Sequence, residues 1–464
     1  MGAQERSGGI MKLGRLAEES GLVLMGRDLD MPIKISVDSR TAERGGGFVA
    51  LRGSRTDGHR FIPDVLAKGV SCVICEKNAF KESWLDSGCT FVLSDGRCEY
   101  AIASLASAYV GKSERLREVV AVTGSVGKTS TKNYAKALLE GRYSVHAAGG
   151  NYNTLIGCSV TALAAPADTE ILLLEMGANH RGEIAEMVRY LPPTIACVTE
   201  IAPAHLEYFG TLEGVLDAKS EIFTSPKLRT AVINGDNRLL CQRVDGLGLP
   251  KVVKSGHAGQ VSFENERVSW KSGGFSVSAV MTGLDGVSFK ASLPISGVHQ
   301  LYPISCACAV AGIAGMSSRE IADALHKCHS ASGRGEVRIS GSGAAIIDEC
   351  YNASPAAVLA SLASMATPDI LGKKVLVLGE MLELGEAAEF QHDLVFRRAK
   401  RVSDKIFLFG KSWESVNGAS EYIRGTLEEI IADIDAEDLR EGDVVLVKGS
   451  RSNHLERVVR ALEI

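Results

Sequence analysis

The run AVTGSVGKTSTKNYAKALLEG (121–141) constrains this chain more than any other stretch. A β-branched apolar strand leads into a glycine turn, and the turn leads into a helical segment. Glycine lets the backbone fold tightly enough for its N–H groups to point inward at phosphate oxygens. A helix starting near Thr129 adds the positive end of its dipole. The segment Thr123, Gly124, Ser125, Val126, Gly127, Lys128, Thr129 and Ser130 is therefore expected to hold a nucleotide triphosphate. Lys128 would neutralise the β- and γ-phosphates, and Thr129 would set its hydroxyl on magnesium. The usual spacing is G-x-x-x-x-G-K-[ST]; here Val122 stands where the first glycine would be, leaving T-G-x-x-G-K-T. This loop alone serves ATPases, GTPases, kinases and ligases equally.

Strands and helices alternate around the loop. ILLLE, TIACVT and TAVIN are short buried strands between helical stretches, which argues for a parallel sheet covered on both faces. At roughly 150 residues per domain, 464 residues suggest three domains. The expected fold class is α/β. A small N-terminal domain spans 1–95, a central phosphate-loop domain 96–330, and a Rossmann-like C-terminal domain 331–464. Residues 255–294 read as antiparallel hairpins, ISCACAVAGIAG as a helix, and the glycines around Arg334 as a linker.

A formal charge of −5 gives no basic excess, so nucleic acid is not an expected partner. No apolar run reaches the roughly 18 residues of a membrane span. The opening MGAQERSGGIMKLG carries no signal-peptide pattern; either Met11 is an alternative start or the first residues are a loose tail, and the expected location is cytoplasmic. The eleven cysteines are read as reduced, buried thiols, and Cys72 and Cys75 as part of a core strand. A monomer is expected.

Ligands of open α/β sheets bind beyond the carboxyl ends of the strands. Glu175 ends ILLLE and could bind magnesium through oxygen. His205 follows the next strand, and a lone histidine there is more often structural. Lys219 lies in the helical LEGVLDAKSEIF and looks like an ordinary exposed helix lysine.

In order, the chain carries T-G-x-x-G-K-T, G-N-Y-N, E-M-G-A-N-H, A-H-L-E, A-K-S-E-I-F, G-R-G-E and D-E-C-Y-N-A-S-P. Together these segments resemble the Mur ligase family of peptidoglycan synthesis, over nearly the whole chain. EMGANHRGEI, VLGEMLELGE (377–386) and VLVKGSR (445–451) are nearest to the branch that uses a dipeptide. The resemblance implies an ATP-dependent amide ligase joining D-alanyl-D-alanine to UDP-N-acetylmuramoyl-tripeptide through an acyl phosphate. It implies two magnesium ions held by Thr129, Glu175, His205 and a carbamylated Lys219. Lys128, Lys219, His205 and Arg334 would act in catalysis, with Arg334 on the γ-phosphate and Asp348 as a linker-side acid near the nucleotide. Asn151 would touch the acceptor, and Ser39 and Arg40 the UDP group.

One motif departs from the family. Its G-x-H-N-x-x-N, which helps to hold adenine, reads here Gly297-Val298-His299-Gln300-Leu301-Tyr302-Pro303. His299 is kept but both asparagines are replaced, so ATP is expected to bind more weakly than is usual for the family. A nucleotide switch built on the same loop would leave Arg334 and the third domain unexplained.

Overall fold

Runs of apolar residues too short for helices become strands buried on both faces, and the helices between them cover those faces. The computed structural model describes residues 11–53, 56–271 and 274–463, so the expectations for the first ten residues lie outside it. The first sheet comprises β1 (Val23–Met25), β2 (Ile35–Ser36), β3 (Gly47–Val49), β4 (Cys72–Glu76) and β5 (Thr90–Ser94), in the order β1-β5-β4-β3-β2. Only β1 runs antiparallel to its neighbour. Cys72 and Cys75 are buried on β4, as a core strand requires. Every cysteine is a free thiol, and all but the half-buried Cys241 are buried.

The central sheet is wholly parallel: β6 (Glu118–Thr123), β7 (Val145–Ala147), β8 (Ile171–Glu175), β9 (Ile195–Val198), β10 (Thr230–Asn234) and β11 (Val252–Ser255), ordered β11-β10-β9-β6-β8-β7. The chain order reverses at β6, and the carboxyl ends of β6, β8 and β9 meet at that switch point. The expected hairpins follow as β12 (Ser262–Lys271), β13 (Gly274–Thr282) and β14 (Ser288–Leu293). The last sheet holds β15 (Glu336–Ile339), β16 (Ala345–Glu349), β17 (Lys374–Gly379), β18 (Lys405–Phe409), β19 (Ile423–Arg424) and β20 (Val444–Lys448). Its order is β15-β16-β20-β17-β18-β19, with β15 alone antiparallel. Among the described residues no helix is long and apolar enough to cross a membrane.

The helix Cys98–Lys112 joins the first two sheets into one core. Ile102 and Leu105 belong to the same apolar cluster as Val49 and Ile74 of the first sheet and Leu172 and Leu174 of the second. The third sheet has separate clusters on its two faces. Phe275 of the hairpin sheet is buried in one of them, with Val268 and Trp270 packed against it. Trp270 N–H also donates to Asp369 of the third domain at 3.3 Å.

Leu105 is fully buried in the shared core. Leu105→Ala is expected to lower stability by about 2–5 kcal/mol. Chemical denaturation should show that loss in one transition covering both the first and the central sheet.

Candidate functional site

The strand β6 ends at Thr123, and the chain turns at Gly124 with φ +143°. A Cβ on Gly124 would lie 2.2 Å from Thr199 Oγ1 and 3.0 Å from Glu200 N, so only glycine fits against the exit of β9. Gly127, at φ +85°, opens the helix Lys128–Leu139. The loop is tied to the exit of β9 at several points. Thr199 Oγ1 donates to Val126 O at 2.5 Å, Ser125 Oγ to Ala202 O at 2.8 Å, and Ala202 N back to Ser125 Oγ at 3.0 Å. Its shape is therefore set by the sheet.

Lys128 Nζ donates to Gly124 O at 2.7 Å and to Ser125 O at 3.2 Å. Burial pushes this amine below its ordinary range, and Glu175 opposes the shift. Thr129 Oγ1 donates to Glu175 Oε2 at 2.7 Å, and Asn153 Nδ2 reaches the other carboxylate oxygen at 3.3 Å. The hydroxyl and the carboxylate expected to share an ion thus already touch. Beside them Lys132, absent from the sequence-based set, is buried with Nζ 2.5 Å from Ala148 O.

Lys219 is not an exposed helix lysine. Thr211 caps its helix, Leu212–Ser220, and the side chain is only 2% exposed, donating to Ala178 O at 3.1 Å. A pattern of residues along a helix cannot reveal this, because the covering groups come from elsewhere in the chain. Burial first, and then the Lys128 charge, push the amine down to about 7. His205 adopts a left-handed backbone at φ +53°, and its ring Nδ1 stands 2.5 Å from Glu383 Oε2. Burial lowers its pKa and Glu383 works against that. Glu383 is itself left-handed at φ +63°. It lies in VLGEMLELGE, a stretch that sequence reasoning used to choose a branch without assigning its carboxylate.

Arg334 stands between two left-handed glycines, with its guanidinium carbon 3.9 Å from the centre of the Tyr351 ring. A cavity of about 1040 Å³ is lined by Lys128, Thr129, Glu175, His205, Lys219 and Arg334 together. Asn151 and His299 also line it. Asp348 does not: its carboxylate lies 3.6 Å from Arg338 and accepts from Cys350 N at 3.1 Å, while its carbonyl holds Gly335 N. It shapes the linker from behind. The buried pair Glu349–Lys448, at 2.8 Å, lines the wall instead.

Ser39 and Arg40 lie apart from this cavity. Arg40 is paired with Asp38 at 2.6 Å, and Lys68 Nζ donates to the Ser39 carbonyl at 2.7 Å. A second cavity, of about 560 Å³, opens beside them, lined by Lys34, Ser36, Thr41 and Arg44 of the first domain and by Tyr152 of the second.

Three sequence profiles match the chain: the Mur ligase family catalytic domain over residues 34–110, the Mur ligase middle domain over 122–311, and the Mur ligase glutamate ligase domain over 333–451. The UDP-N-acetylmuramoyl-tripeptide–D-alanyl-D-alanine ligase of Bacillus subtilis is 31% identical over 442 residues, 92% of each chain. That of Escherichia coli is 32% identical, covering 95% of each. The crystal structure of MurF ligase from Thermotoga maritima in complex with ADP superposes with a TM-score of 0.80. It is 30% identical and covers 93% of this chain and 97% of its own.

A lysine whose pKa falls on folding destabilises the fold below its folded pKa, and that penalty fades as pH rises toward the unfolded value. Lys219→Met is therefore expected to melt above the parent protein at pH 6, with the gap narrowing as pH rises from about 7 toward 10.5. Melting curves across this range check it; a gap that widens with pH would contradict the buried-amine assignment.

Proposed function

The chain belongs to the Mur ligase family, and on that premise we propose that it joins D-alanyl-D-alanine to UDP-N-acetylmuramoyl-tripeptide, converting ATP to ADP and phosphate. The observation that carries this reading is the single cavity in which the phosphate loop, Glu175, His205, Lys219 and Arg334 converge.

A carboxylate resists an amine because its oxygen is a poor leaving group. In the proposed reaction the terminal carboxylate of the tripeptide takes the γ-phosphoryl group, and ADP departs. The amine of D-alanyl-D-alanine then attacks the acyl phosphate and expels phosphate. Lys128 and the helix it opens stabilise charge gathering on the phosphoryl oxygens, and Arg334 meets the same charge from the third domain. Closing the third domain over the site keeps water from the acyl phosphate.

The donor set suits magnesium: a hydroxyl and a carboxylate, both hard oxygen ligands, sit at a helix N-terminus. Among the described residues no group of three or more histidine, cysteine or acidic side chains could hold a metal by itself. Thr129, Glu175 and His205 would hold the ions jointly with the phosphates. Bound magnesium would screen the phosphate charge and polarise the γ-phosphoryl group. Lys219 completes the set as a carbamate. Only a neutral amine attacks carbon dioxide, forming a C–N bond and releasing a proton, and the depressed pKa of Lys219 keeps a neutral fraction near pH 7.

The first domain would take the UDP group near Ser39 and Arg40, Asn151 would touch the acceptor, and the third domain would receive the dipeptide. The reaction would run in the cytoplasm, where ATP is available.

Phosphate release from ATP and magnesium should require both UDP-N-acetylmuramoyl-tripeptide and D-alanyl-D-alanine. Release that ignores both would replace this reading with a simple nucleotide hydrolase. Lys219→Ala should be inactive and partly restored by short carboxylic acids; full activity without them would remove the carbamate.

A further inference from the structure

Gln300 occupies the position at which the family carries an asparagine for adenine, yet here the side-chain amide is fully engaged within the protein. Its Oε1 accepts from Tyr134 Oη at 2.7 Å and from Ser330 Oγ at 3.0 Å. Its Nε2 donates to Ser296 Oγ at 2.8 Å and to Arg334 O at 3.4 Å. An amide offers two acceptor and two donor positions, so nothing is left for a base. The orientation is fixed by chemistry: Arg334 O can only accept, so the NH2 group must face it. The side chain is buried as well, at 5% exposure.

These partners come from three segments. Tyr134 lies on the phosphate-loop helix, Ser296 lies just before Gln300, and Ser330 and Arg334 lie on the linker to the third domain. A separate contact tightens the junction. A Cβ on Gly335 would fall 2.6 Å from Gln300 Nε2 and 2.5 Å from Ser296 Oγ, so the linker backbone rests directly on this amide.

We propose that Gln300 is a positioning residue that couples the phosphate-loop helix to the linker and so sets where Arg334 meets the γ-phosphate, and that it takes no part in reading the base. This rests on the role given to Arg334 above. Chemistry at the γ-phosphate then depends on Gln300, whereas affinity for the nucleotide does not.

Three variants of the full chain separate the possibilities. Gln300→Glu keeps the shape and both acceptor bonds but turns a carboxylate toward Arg334 O. Tyr134→Phe removes one hydroxyl from the far end of the network and leaves a ring that still packs. Arg334→Ala tests the underlying reading. Ligase turnover with saturating substrates gives kcat, titration with ADP gives Kd, and a melting curve reports the fold. We expect kcat to fall at least about tenfold in Gln300→Glu and about threefold or more in Tyr134→Phe, with ADP Kd held within about twofold in both. A Gln300→Glu protein that does not fold leaves the decision to Tyr134→Phe, by the same pair of measurements. Weakened ADP binding with kcat retained would overturn the proposal and make Gln300 a base contact. Unchanged kcat and Kd would reduce it to packing. An inactive Arg334→Ala beside an active Gln300→Glu would sink the coupling alone, whereas a fully active Arg334→Ala would sink the reading beneath it.

Discussion

Position 124 admits no side chain, because Thr199 and the backbone of Glu200 fill the space where one would stand. The approach between the ends of β6 and β9 follows from that. Parallel strands place their carboxyl ends on one rim, so a loop pressed against the neighbouring strand lies beside whatever follows β9 and β8. His205 follows one and Glu175 ends the other. The site is a by-product of strand order, fixed before any ligand arrives.

Buried amines gather around this rim. Lys128, Lys132 and Lys219 are drawn toward neutrality by burial, and Arg334 depresses the first two further. Glu175 accepts from Thr129 of the loop, and Glu383 lies against His205. Burying amines in this way costs stability in the free protein, and a bound anion would offset that cost.

Much of this could be read from the residues in order. Strand–glycine–helix spacing pointed to the loop of Lys128 and Thr129, and strand-end positions to Glu175 and His205, because both depend on local periodicity; the four line one cavity. Lys219 looked ordinary because its burial is made by residues distant in the chain. Glu383 was hidden for the same reason: it becomes notable only where a second domain brings it to His205. Asp348 shows the limit from the other side: strand alternation turns its carboxylate toward Arg338 and leaves Glu349 facing the cavity, a choice between neighbours that the sequence does not make. Gln300 was visible as a departure, but its four partners span residues 134 to 334, which no local pattern reports.

The hairpin sheet of residues 262–293 has one further consequence. Phe275 is sunk in the apolar core of the third domain, and Trp270 packs at its margin. Any swing of that domain away from the central one must bring this aromatic surface into water. Apolar contact of this kind weakens on cooling. Parting this contact therefore costs less in the cold than in the warm.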